Sequence, residues 1–556
     1  MHNLKKHSTV ILFSLILLVA AFTRFYKLSE FPVGLHGDEA SLAYNAYSLL
    51  LTGKDENGDF LPIHSSISRT YRPIGYTYLT IPSVLVFGLN EFSARFAGAL
   101  LGTITVGAVY LLAIVLFKKK STALMSALFL ALNPWHINLS RGSAESLASL
   151  FFVVCGFILI IKLIQDKRTS FLYVFGSFFL FTLAFITYPA SRVFVPLFLS
   201  TLVPLTFFFY RRKMRLTITL SVIAFSISGF FILGTKGGIV KFNDVGILSY
   251  ELPKALLAES IGEDGTVFIH PLVARLFHNK VIVYGRVFIK EYVQYFSFNT
   301  LVGGEILPIR YKIQDAGLIY IVEVLFLLVG IYSVFRTREF ALLFVACWIL
   351  VGPLASAMTW EDSPNVLRSL PMVVGLVLMM AYGSTHLWQL MKNKSYRNLL
   401  FGVIIITYIY CVLTYMHQYY IHGLRHRPWY RDYGFKELIQ FTESKPEYEV
   451  VYVTKATAGP YIQFLFHLKF DPREYHQTNS VRDDNYKGFG RYIFVPDECP
   501  DPVEFQKRGI LDKNAASTKV LFVANGLCKV PLSVHELTYI TRPDNTPVFR
   551  IWEIKN

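Results

Sequence analysis

VILFSLILLVAAFTRFYKLSEFPVGLHGDEASLAYNAYSLL, residues 10–50, sets two demands side by side. Its first half is apolar from residue 9 to 25, long enough to cross a hydrocarbon core of about 30 Å as a helix. Lys5 and Lys6 precede the run and no convincing small-residue cleavage site follows it, so it reads as a retained anchor. Just beyond stand two adjacent acids, Asp38 and Glu39. A carboxylate beside lipid is costly, which makes it a functional hypothesis whose partner must be found.

The whole chain supports the membrane reading. Of 556 residues, 53% are hydrophobic and only 17% charged, against about 25% charged in soluble domains. Apolar windows recur near 9–25, 93–117, 121–139, 144–164, 171–189, 193–210, 216–234, 316–335, 340–357, 367–389 and 398–416. The expectation is an α-helical polytopic membrane protein with about eleven spans. Basic residues cluster in alternate connections, at Lys118–Lys120, Lys167-Arg168, Arg211–Lys213, Arg336 with Arg338, and Lys392 to Arg397. The positive-inside rule then puts the N-terminus in the cytoplasm and the loops 26–92 and 235–315, with the tail, outside a plasma membrane; Arg24 and Lys27 run against the pattern. The net charge of +16 lies largely in those inner loops, facing anionic lipid, and no nucleic-acid partner is needed to explain it.

Residues 1–419 therefore read as the transmembrane domain and 420–556 as a small extracytoplasmic α/β domain. In the tail, EVVYVTK, RYIFVP, KVLFVAN, LTYITR and VFRIWEI have strand character, with helical patterns near 434–444 and 458–468. Cys499 and Cys528 share this tail, where a disulfide is open to them. In the first loop, 39–51 reads as a helix with an apolar side suited to lying along the membrane surface.

Taken alone, Asp38 has the look of a helix N-cap, with Glu39 in the first turn. Its company widens the reading. Arg69, Arg72, Arg95, Arg141, Arg192 and Arg368 all fall on the expected outer side. Each alone suits an interfacial snorkelling residue; together with two acids they suggest a site. Carboxylates beside guanidinium groups at a membrane edge fit sugar transfer from a polyprenyl phosphate. The leaving phosphate is stabilised by arginine forks, and an aspartate accepts the proton of the attacking hydroxyl.

Four motifs carry a resemblance. They are the Asp38-Glu39 pair in the first external loop, RPIG with Arg72, GLNEFSAR with Glu91 and Arg95, and LNPWHINLSRGSAE with Arg141 and Glu145. NVLRSLPMVVGL adds Arg368 near a late span. Over roughly 8–390 the chain resembles the GT-C membrane glycosyltransferases, on the branch of the dolichyl-phosphate-mannose protein mannosyltransferases and the aminoarabinose transferase. The resemblance departs where RPIG stands for a Lys-Pro-Pro motif. It implies an inverting transferase with Asp38 as base and Glu39 beside it. Arg72, Arg141, Arg192 and Arg368 would be donor-phosphate contacts, with Glu91, Arg95 and Glu145 in support. No cofactor or metal is implied. The partners would be a polyprenyl-phosphate-linked sugar, membrane lipid, and an acceptor glycan, lipid or protein. A transporter or flippase of lipid-linked saccharides is the alternative; it should show paired discontinuous spans about a midplane site.

Overall fold

The computed structural model describes residues 2–67, 70–166, 170–267, 270–426, 432–455, 459–478, 486–510 and 519–554. Each of the eleven apolar windows contains helix. Eight helices among the described residues are long and apolar enough to cross a membrane: His7–Phe25, Glu91–Phe117, Glu145–Gln165, Ser191–Phe209, Arg211–Leu233, Phe340–Ala357, Pro371–Leu390 and Lys394–His426. Phe171–Thr187 and Ile321–Thr337 are somewhat shorter, at 17 residues each. The window 121–139 is interrupted. Lys120–Leu132 stops at Asn133, whose side chain caps the next helix by accepting from the His136 amide at 2.9 Å, and Pro134 takes its first position.

The chain divides into two compact units. The first comprises Met1–Tyr26 and Gly98–Gln418, the helical bundle; the second comprises Lys27–Ala97 and Tyr419–Asn556. Residues 27–97 thus group with the tail, where the sequence division had put them with the bundle.

The second unit is built on a six-stranded sheet. Its strand order is Gly488–Phe489, Tyr492–Val495, Val450–Thr454, Val520–Asn525, Pro547–Ile554, Val534–Thr541. The three central strands run parallel and the edges antiparallel, as crossover connections through helices require. The helices Phe435–Glu443 and Pro460–His467 cover one face. Against them packs Gly37–Thr52 from the first loop, whose Ala40, Ala43 and Tyr44 join Tyr461, Phe464 and Leu465 in one core. That helix is buried along nearly its whole length, so it does not lie on the membrane surface as its apolar spacing had suggested. Gly53 ends it at φ 70°, a left-handed position where glycine carries no Cβ penalty, and donates its amide to Leu49 O at 2.9 Å. Cys499 and Cys528 form a disulfide in this unit.

Candidate active site

The helix Gly37–Thr52 begins two residues earlier than an Asp38 cap would require. His36 is the N-cap: its Nδ1 accepts from the Asp38 amide at 3.1 Å, and Glu39 Oε2 accepts from the His36 amide at 3.2 Å. A capping box normally uses Ser or Thr at this position, so the sequence signal was hidden behind an imidazole. His36 and Glu39 thus cap the first turn.

The two acids then separate in role. Glu39 is 4% exposed and is gripped by Arg95, itself 1% exposed, through Nε and Nη2 at 3.3 Å each. Arg95 also donates to Leu28 O at 3.1 Å and Gly34 O at 2.5 Å. It thereby ties the segment between the first span and the acids to the start of the helix Glu91–Phe117. Asp38 keeps 41% of its side chain exposed; its Oδ1 lies 2.6 Å from Arg72 Nη1 and its Oδ2 3.6 Å from His36 Nδ1. Arg72 is delivered by the strand Thr70–Pro73, paired with His64–Ile67 so that Arg72 stands opposite Ser65. Asp38, Glu39, Arg72 and Arg95 therefore assemble in the second unit. Arg69 and the side chain of Tyr71 lie outside the described residues.

One participant had no signal in the sequence. Asp432 accepts from the Gly37 amide at 2.7 Å and from Gln463 Nε2 at 3.3 Å, while Gln463 also donates to Leu35 O at 2.7 Å. Burial, the largest influence, raises the Asp432 pKa; the charge of Asp38 adds to it, while His36 and the Gly37 amide oppose. Its place becomes visible only when the tail packs on the first loop. Glu91 pairs with Lys436 at 2.6 Å instead of joining Arg95.

In the bundle the arginines divide. Arg141, fully buried, donates to Thr23 O, Arg24 O and Tyr26 O at 3.0, 3.1 and 2.7 Å. Those carbonyls end the first span, where helix acceptors lack intrahelical donors. Arg192 likewise donates to Phe185 O at 3.0 Å and Phe231 O at 3.1 Å. Arg24, which had opposed the charge rule, is buried and donates to Ala20 O, Leu130 O and Ala131 O, with Nη2 at 2.8 Å from His136 Nδ1. It is an internal helix tie, not a surface charge.

Arg368 differs. Its Nη2 lies 2.5 Å from Glu361 Oε2, and its Nη1 donates to Thr359 Oγ1 at 2.8 Å and Glu361 O at 3.2 Å. Beside it in sequence, Asp362 pairs with Arg310. Arg368 with Glu361 and Arg310 with Asp362 thus form two ion pairs of the bundle that are neighbours in sequence at Glu361-Asp362. Arg310 was not singled out from the sequence, because its loop, LPIRYKIQD, carries no motif. Among the described residues no group of three or more His, Cys, Asp or Glu gathers as a metal site.

The bundle, the loop and the sheet together define the class: the chain has the GT-C glycosyltransferase fold and is a multi-pass membrane protein. ArnT from Cupriavidus metallidurans in the apo state aligns over 99% of this chain and 98% of its own, with TM-score 0.53 and 13% identity. The same protein bound to undecaprenyl phosphate aligns over 98% and 97%, at 0.53 and 12%. The archaeal oligosaccharyltransferase AglB from Archaeoglobus fulgidus, in complex with an inhibitory peptide and a dolichol-phosphate, aligns over 89% of this chain and 62% of its own, at 0.51 and 13%. More particularly, residues 71–230 match the family model described as dolichyl-phosphate-mannose-protein mannosyltransferase. An uncharacterized protein of Aquifex aeolicus is 31% identical over 142 residues, 25% of this chain and 27% of that one. The match thus spans about a quarter of that relative's length.

Proposed function

We propose that the chain is an inverting glycosyltransferase that moves a sugar from a polyprenyl-phosphate donor to an acceptor hydroxyl on the outer side of the membrane. The observation that carries this is the division of labour between the adjacent acids. Glu39 is consumed by the helix cap and Arg95, whereas Asp38 is accessible and sits against a guanidinium. A buried, doubly bound carboxylate positions; an accessible one can take a proton.

In the proposed step the acceptor O–H gives its proton to Asp38. Its oxygen forms the bond to the anomeric carbon, and the bond from that carbon to the phosphate oxygen breaks with its electron pair going to phosphate. One displacement inverts the anomeric centre. The departing group is a stable anion and needs no acid, only positive charge. Arg72 supplies that charge in the unit that carries Asp38, and Arg368 with Arg310 are the bundle's candidates. Arg141 and Arg192, engaged by main-chain carbonyls, are assigned to holding helices. Solved proteins of this fold hold dolichol-phosphate and undecaprenyl phosphate, which supports a lipid-phosphate donor. The Cys499–Cys528 disulfide supports a tail in an oxidising compartment.

The test is stereochemical. Purified protein in detergent, given a panel of polyprenyl-phosphate sugars and acceptor alcohols, should release polyprenyl phosphate and a product of inverted anomeric configuration, read by NMR. A product of retained configuration, or none with any donor, rejects the reading.

A further inference from the structure

We propose that residues 271–293, two helices in the 235–315 loop, lie in the headgroup region of the membrane with their apolar side turned into the lipid. On the helix Lys280–Val293, Val283 and Val287 are buried, one turn apart. Ile282, Ile289 and Val293 are 38, 59 and 55% exposed. Their spacing of seven and then four residues puts them in one line along the helix. The preceding helix Pro271–Phe277 exposes Leu272, Val273, Leu276 and Phe277. So dense an apolar surface is not left to water in a folded protein.

The chemistry around it selects lipid. Residues 271–293 contain Arg275, Lys280, Arg286 and Lys290 against the single acid Glu291. Mixed basic and apolar exposure on a short helix is the pattern of an interfacial segment, whose apolar side sinks about 5–10 Å while its cations meet lipid phosphates. Phe288, Tyr292 and Phe296 form a run of ring contacts at its end, as interfacial aromatics do.

Position within the bundle agrees. The Tyr292 hydroxyl donates to Leu350 O at 2.8 Å. Leu350 belongs to the apolar span Phe340–Ala357 and is itself half exposed on that span's outer surface. The end of the 280–293 helix is therefore held at the main-chain carbonyl of an exposed residue of that apolar span. The loop is fixed there by further bonds. Ile247 donates to Met358 O at 2.9 Å, Trp360 to Val245 O at 3.2 Å, and Tyr250 stacks on Trp360 with centroids 5.6 Å apart.

The experiment places an environment-sensitive fluorophore on single cysteines, Phe277→Cys and Ile289→Cys, in the full chain reconstituted in nanodiscs with one copy per disc. Tyr539→Cys, exposed on an edge strand of the tail, is the water-facing control. Lipids carrying a spin label near the glycerol should quench the labels at 277 and 289, and aqueous iodide should not; position 539 should show the reverse. Iodide quenching at 277 and 289 like that at 539 would overturn the proposal. Shielding from both quenchers would also overturn it, by showing that protein covers the face. Ile289→Glu provides an independent reading. The folded variant should detach the helix, so that a label at 277 loses lipid quenching and gains iodide quenching; unchanged lipid quenching would contradict the inference.

Discussion

At the scale of single residues, the neighbours Asp38 and Glu39 answer to different physics, and so do the arginines. Replacing Arg95 with alanine leaves Glu39 buried without its cation, and loss of one partner of a buried pair costs about 3–5 kcal/mol. The expected outcome for Arg95→Ala is loss of folded protein, read by thermal denaturation in detergent. Arg141→Ala should do the same, since three carbonyls lose their donor. Arg368→Ala should instead leave the melting temperature near that of the wild type while weakening donor use. A destabilised Arg368→Ala with normal donor use would remove its phosphate role. These contrasts show what was legible at this scale. The acid pair could be found because charge beside lipid is conspicuous. The roles could not, because whether an arginine meets a carbonyl or a carboxylate depends on which helix ends beside it. Asp432 was invisible for the same reason.

At the scale of elements, the helix Gly37–Thr52 is held at its start by three devices: the His36–Glu39 capping box, the Glu39–Arg95 pair and the Asp432–Gly37 bond. Next to these, His467 ends the helix Pro460–His467 among Glu91 and Lys436. Burial lowers its pKa from 6.5 to about 4, with Glu91 opposing and Lys436 assisting. A base whose folded pKa is depressed stays neutral in the native state. The unfolded chain therefore binds more protons between about pH 6.5 and 4, and stability falls as pH drops through that window by at most about 1.4 kcal/mol per unit. His467→Gln should flatten this part of the stability profile, measured by denaturation across the range; an unaltered slope would place the titrating group elsewhere. Periodicity predicted the helix well but misread its setting. An apolar side along 39–51 fits both a membrane surface and a protein core, and only the tail's own apolar face decides between them. Conversely, which side of the helix 280–293 is exposed does not follow from its sequence and shows only in its burial pattern.

At the scale of the whole molecule, hydropathy made the bundle readable, since every apolar window contains helix. It could not see the break at Asn133-Pro134 as a cap, nor the grouping of residues 27–97 with the tail, which depends on long-range packing. The disulfide belongs to this scale too. It closes a loop across 29 residues, for which the chain-entropy relation gives about 3–4 kcal/mol. Cys499→Ser with Cys528→Ser should lower the stability of the tail unit by that order, measured by limited proteolysis against denaturant. A thiol-reactive label applied to intact cells should reach the reduced tail from outside; labelling only after lysis would reverse the orientation.

The chemistry rests on Asp38 as the group that accepts the acceptor's proton. The most direct measurement compares sugar transfer by wild-type and Asp38→Asn protein, with polyprenyl-phosphate binding and melting temperature recorded on the same samples. Transfer should fall by about 10²–10⁴-fold while binding and folding are retained. Transfer at the wild-type rate by a folded, lipid-binding Asp38→Asn protein would contradict this role of Asp38.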